Sequence, residues 1–123
     1  DHFKRVNDTA GHSAGDDLLR IVAGRLAACV KDGDLVARLG GDEFAVLLHD
    51  VADRGVVRGV ADRVIARLSE PIQVAGRDHY VAASVGVALV PADGRTLDDL
   101  LKHGDIAMYR AKEEGRGRAV FFD

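Results

Sequence analysis

Two short, mostly apolar runs, residues 35–39 and 44–48, stand on either side of Gly40-Gly41-Asp42-Glu43. Five residues between glycines are too few for a helix, and a glycine pair frees the backbone for a tight reversal, so this segment predicts a β-hairpin. A lone hairpin is marginal in water and must lay one face on other apolar elements. The flanking sequence supplies them. On the N-terminal side Leu18, Leu19, Val22, Leu26 and Val30 recur at helical spacing and predict a helix over 15–31, with Asp16 near its N-cap and Gly33 just past its end. On the other side Val56, Val60, Val64 and Leu68 form one stripe of a second helix over 53–69, which Pro71 stops.

Beyond Pro71, residues 72–74, a connection over 75–78 and a long run over 80–90 read as another hairpin. In that run Val81, Ala83, Val85, Val87 and Leu89 alternate with smaller or polar residues, the period of a strand with one buried face. Thr96 followed by Asp99 resembles a capping box and opens a third helix, which passes through Leu97, Leu100, Leu101, Ala107 and Ala111 to about Glu114. Gly115 occupies the position of a C-terminal cap, and 119–122 form a last strand. Residues 1–15, rich in Asn, Asp, Gly and Thr, read as a loop. The order helix, hairpin, helix, hairpin, helix, strand is α+β. One more strand in front would complete βαββαβ, the split arrangement of ferredoxin-like sheets. The expectation is therefore an antiparallel-rich sheet flanked by helices and lacking its first strand. The 123 residues, 47% of them hydrophobic, suffice for a single domain over 1–123, incomplete at its N-terminus.

Several function classes fall away. The net charge of −3 gives no bulk attraction to nucleic acid or to an acidic membrane, and no apolar run approaches a membrane span. Arg54, Arg58, Arg63 and Arg67 are interleaved with Asp53, Asp62 and Glu70, the pattern of a solvated helix face. His2, His12, His49, His79 and His103 show no metal-ligand spacing. The single cysteine, Cys29, excludes an internal disulfide, suits a reducing, cytoplasmic setting and reads as packing. No Gly-x-x-x-x-Gly-Lys-Ser/Thr occurs, so no P-loop is present.

The turn is where chemistry can sit. Gly40 and Gly41 allow a bulky group to approach the backbone, and the adjacent carboxylates of Asp42 and Glu43 are hard oxygen ligands suited to a divalent cation. A plain Gly-Gly hairpin with solvated acids would look the same.

Gly40-Gly41-Asp42-Glu43-Phe44 resembles, letter for letter, the signature of the GGDEF family, the diguanylate cyclases. The likeness extends along the chain. Asp1-His2-Phe3-Lys4-Arg5-Val6-Asn7-Asp8 with Gly11-His12 and Gly15-Asp16 is similar to the family's first block. Ala83-Ser84-Val85-Gly86-Val87-Ala88 resembles a later strand, and Met108-Tyr109-Arg110-Ala111-Lys112 with Gly115-Arg116 the end of the last helix. The resemblance implies condensation of two GTP into cyclic di-GMP by an antiparallel homodimer holding one GTP per subunit, with Mg2+ or Mn2+. It implies Asp42 and Glu43 as metal ligands, with Glu43 also helping to deprotonate the attacking 3′-hydroxyl. It implies Asn7 and Asp16 as readers of guanine, and Lys112, Arg116 and the amides near His2 and Phe3 as phosphate contacts. An amide and a carboxylate can pair with guanine's carbonyl and N–H groups, and cations with phosphate.

Two positions depart from the family pattern. Asp1 matches the second member of an Asp-x-Asp pair, so a third metal carboxylate is expected two residues upstream, and the 123 residues alone are expected to make little or no cyclic di-GMP. Lys31 and Asp34 fall where many members carry Arg-x-x-Asp, the site of product inhibition. Lysine lacks arginine's planar fork, so weak cyclic di-GMP binding is expected there. The readings carried forward are a cyclase, a GTP-binding regulatory module without turnover, and a dimerisation domain with incidental acids.

Overall fold

The structure, a computed structural model, describes residues 12–49 and 51–123. The chain divides into two compact units, Asp1–Val81 and Ala82–Asp123.

In the first unit, α1 (His12–Ala28) is followed by the strand pair β1 (Leu35–Gly40) and β2 (Glu43–Leu47), then α2 (Arg54–Leu68), then the pair β3 (Ile72–Val74) and β4 (Arg77–His79). Helix α1 begins three residues before the sequence pattern and contains Gly15 and Asp16, so Asp16 is not an N-cap. Ala14 explains this: it is buried with Leu18, Ile72 and Val74 in the core of the unit, and that packing outweighs glycine's poor helix propensity. The helix also stops at Ala28, where the Cys29 amide donates to the Leu26 carbonyl in a tightened last turn. Cys29 is 2% exposed, in keeping with a packing role.

The predicted hairpin forms with Leu35 opposite Leu47, Val36 opposite Val46, Ala37 opposite Ala45 and Arg38 opposite Phe44. Pairing then shifts, and Gly40 faces Glu43. Gly41 has φ +52°, a left-handed conformation that glycine adopts without a Cβ penalty.

Asp53 caps α2 by accepting from the Val56 amide at 3.1 Å. Val64 and Leu68 of the expected stripe are buried, joined by Ala61, whereas Val56 in the first turn is exposed. The other end of α2 is tied to α1. The Arg25 guanidinium donates to the carbonyls of Arg67 (3.0 Å), Glu70 (2.7 Å) and Pro71 (2.8 Å). The Arg67 carbonyl belongs to the last turn of α2, and those of Glu70 and Pro71 to the segment that follows it. Arg25→Ala is expected to lower the unfolding free energy by about 2 kcal/mol, because three acceptors lose one charged donor. Arg25→Lys should restore less than half, as measured by denaturant unfolding, since a point charge cannot span all three.

The second hairpin differs from expectation. It closes in two residues, Ala75 (φ +54°) and Gly76 (φ +75°), so Arg77 and Asp78 belong to β4 rather than to the loop. Two consecutive left-handed residues match the right-handed twist of the strands they join. Of the expected strand over 80–90, only 84–87 is regular, and it lies in the second unit.

That unit comprises β5 (Ser84–Val87), α3 (Leu97–Glu113) and β6 (Arg118–Phe121). β5 and β6 are parallel, which requires a crossover, and α3 supplies it. Thr96 caps α3 by accepting from the Asp99 amide at 3.1 Å, as its sequence predicts. Ala107 and Ala111 are fully buried. The helix ends in a Schellman turn. The Gly115 amide donates to the Lys112 carbonyl (3.3 Å) and the Arg116 amide to the Ala111 carbonyl (3.0 Å), with Gly115 at φ +115°. Two of the three strand pairs among the described residues are antiparallel, and three helices accompany them, the mixed α+β class that the sequence predicts.

Candidate functional site

Asp42 lies on the reversal between β1 and β2, and Glu43 opens β2; both are exposed. A Cβ placed on Gly40 or Gly41 would meet nothing within 4 Å among the described residues. The Glu43 side chain is exposed, and its backbone pairs with Gly40. No group of three or more His, Cys, Asp or Glu side chains capable of holding a metal occurs among them. Two neighbouring exposed carboxylates nevertheless suit Mg2+, which keeps several waters and is commonly bound through one or two carboxylates plus substrate phosphates.

Beside the turn is a cleft of about 300 Å³ lined by Asp16, Leu19, Arg20, Ala23, Arg38 and Phe44. It arises because α1 runs past the face of the hairpin that carries Arg38 and Phe44. Arg20 is paired with Asp17 at 3.1 Å rather than with Asp16, whose exposed carboxylate accepts no hydrogen bond among the described residues. Arg38 reaches from this cleft to the turn, where its Nε donates to the Gly41 carbonyl at 2.8 Å. The structure thus brings Asp16 into a common neighbourhood with Gly40, Gly41, Asp42 and Glu43. Asn7, Asp1 and the amides of His2 and Phe3 lie outside the described residues. Lys112, half-buried, and Arg116, exposed, sit together at the C-terminal end of α3 in the second unit.

Lys31 and Asp34 are adjacent but already occupied. The Asp34 carboxylate, only 3% exposed, accepts from the Lys31 amide (3.2 Å), the His49 amide (3.1 Å) and the His49 ring nitrogen Nδ1 (2.8 Å). The Lys31 ammonium in turn donates to the His49 carbonyl. Burial alone would raise the Asp34 pKa, but the donors from His49 and Lys31 outweigh it and hold the carboxyl below its ordinary value of 3.8. A carboxylate whose folded pKa is depressed contributes stability that is complete above the ordinary value and is lost as pH falls through the folded one. Asp34→Asn is therefore expected to lower the melting temperature at pH 7, and the gap to the unsubstituted protein should close as pH drops below 3.8. Equal melting temperatures at pH 7 would contradict this.

Sequence reasoning missed Arg38 and His49 as partners. An arginine three residues before a turn glycine can reach that glycine's carbonyl. The hairpin register, continued past Leu35 opposite Leu47, brings His49 across from Gly33 and next to Asp34. Both signals exist only once the register is known.

The family model for the diguanylate cyclase, GGDEF domain, matches residues 1–118. The chain is 43% identical over 122 residues to the cyclic di-GMP phosphodiesterase NbdA of Pseudomonas aeruginosa, covering 99% of this chain and 16% of NbdA. It is 43% identical over 118 residues to the diguanylate cyclase TpbB of the same species, covering 95% of this chain and 27% of TpbB. The crystal structure of the TpbB GGDEF domain superposes with a TM-score of 0.94 at 41% identity, covering 100% of this chain and 77% of that one. The chain belongs to the GGDEF domain family. It spans less than a third of the length of either curated relative. No helix among the described residues is long and apolar enough to cross a membrane.

Proposed function

We propose that this domain condenses two GTP molecules into cyclic di-GMP as part of a diguanylate cyclase. The observation that carries the reading is the pair of intact, exposed carboxylates, Asp42 and Glu43, on a turn bonded through Arg38 to the cleft that Asp16 lines. In each of two equivalent steps the 3′-oxygen of one GTP bonds to the α-phosphorus of the other. The bond to the bridging oxygen breaks, and pyrophosphate leaves. Glu43 accepts the hydroxyl proton, and Asp42 and Glu43 would hold Mg2+ or Mn2+, which when bound neutralises phosphate charge and acidifies the hydroxyl. Asp16, with Asn7, reads guanine, and Lys112 and Arg116 contact phosphate. Little covalent chemistry is asked of the protein; positioning and charge do most of it. Each subunit presents one GTP, so the working form is a homodimer.

The Lys31–Asp34 site binds cyclic di-GMP weakly, because the acceptor oxygens of Asp34 are already taken and Lys31 offers no planar fork. A second reading is a GTP-binding regulatory module without turnover; the 43% identity to a phosphodiesterase favours it. The full-length protein that contains this segment distinguishes the two when incubated with GTP and Mg2+. Formation of cyclic di-GMP with release of two pyrophosphates supports the cyclase. GTP binding without product supports the module.

A further inference from the structure

We propose that Arg38 is a positioning residue for the acid turn, fixing Asp42 and Glu43 relative to the cleft that Asp16 lines; this rests on the cyclase reading. The two glycines of the turn supply no packing among the described residues. Gly40 at φ +156° and Gly41 at φ +52° carry no side chains, and a Cβ at either would touch nothing within 4 Å. Asp42 and Glu43 are exposed. Glycine also loses more conformational freedom on ordering than any other residue, so an unbraced Gly-Gly reversal samples many conformations. The shift in strand pairing between Arg38 and Gly40 removes a regular ladder contact at the same place.

The Arg38 side chain spans this gap. Paired opposite Phe44 in the last regular step of the ladder, it is anchored at its base by the strand. Its Nε donates to the Gly41 carbonyl at 2.8 Å, inside the reversal itself. The guanidinium is planar and its donor directions are fixed, so one bond constrains both the distance and the orientation of the Gly41–Asp42 peptide. Because Arg38 also lines the cleft with Asp16 and Phe44, one rigid group connects base-reading and acid-bearing elements. Arg38 acts through Gly41 and is not assigned any contact with the reacting atoms.

The test uses the full-length protein with Arg38→Met and Arg38→Lys. Amide hydrogen exchange at Gly41, Asp42 and Glu43 is expected to accelerate about tenfold in Arg38→Met, while Val36 and Val46 in the same hairpin keep their protection. With GTP and Mg2+, kcat should fall at least about tenfold, the KM for GTP should stay within about twofold, and half-activation should need several times more Mg2+. Arg38→Lys should recover part of both effects. Unchanged exchange at the turn overturns the proposal, as does faster exchange spread over both strands, which marks a general loss of structure. A raised KM with unchanged kcat also overturns it, because it puts Arg38 in contact with the nucleotide. If the unsubstituted protein forms no cyclic di-GMP, the cyclase reading fails and the exchange measurement alone decides whether Arg38 holds the turn.

Discussion

Gly86→Ala is expected to unfold the second unit, and Gly104→Ala, on the helix facing it, to leave that unit intact. A methyl group on Gly86 would overlap the Gly104 carbonyl oxygen and the Met108 amide nitrogen and come within 2.9 Å of Met108 Cα. All three are backbone atoms of α3, which cannot turn aside as the tip of a flexible side chain can. The penalty should exceed about 3 kcal/mol, at or above the upper end of ordinary overpacking. The reverse substitution meets only the Gly86 carbonyl oxygen, at 4.0 Å, an ordinary contact. Gly104→Ala also replaces a poor helix former inside α3 and should contribute up to about 1 kcal/mol of stability. Denaturant unfolding followed by circular dichroism separates the two. A Gly86→Ala protein within 1 kcal/mol of the original would show that α3 does not sit on β5 as described.

Glu43→Gln should reduce cyclic di-GMP formation by the full-length protein at least about a hundredfold, the scale on which a positioned general base acts. The substitution keeps the shape of the side chain and removes its charge and basicity. The Glu43 side chain is exposed at the start of β2. Stability should therefore change by less than about 0.5 kcal/mol, and binding of a non-hydrolysable GTP analogue should persist. The pattern of lost turnover with retained folding and binding is what identifies Glu43 with the chemical step. Initial rates within a few-fold of the original would remove Glu43 from that role.

Much of this domain was legible because its strongest signals are local. The hairpin around Gly40 and Gly41 followed from two runs too short for anything else, and the third helix from a cap, a stripe and a terminal glycine that all agree. The misreadings lie where tertiary packing overrides local preference. Gly15 and Asp16 look like a loop and a cap, yet they are helical because Ala14 is drawn into the core against Leu18, Ile72 and Val74. The alternation over 80–90 is a fair strand pattern, yet only the part paired with β6 is regular. The site divides in the same way. Asp42 and Glu43 could be picked out as chemical groups, since their side chains define them. Arg38 and His49 could not, because one acts on a turn carbonyl and the other on a carboxylate whose position depends on the register.

The Schellman turn at the end of α3 sets stability against charge. Arg116 stands at φ +63°, a left-handed conformation that costs a residue with a Cβ roughly 1 kcal/mol relative to glycine. Glycines already occupy both neighbouring positions, 115 and 117, at positive φ. A third glycine would have made the easier chain to fold. Residue 116 instead carries a guanidinium where the backbone disfavours any side chain, so the helix end trades a little foldability for a cation at that position.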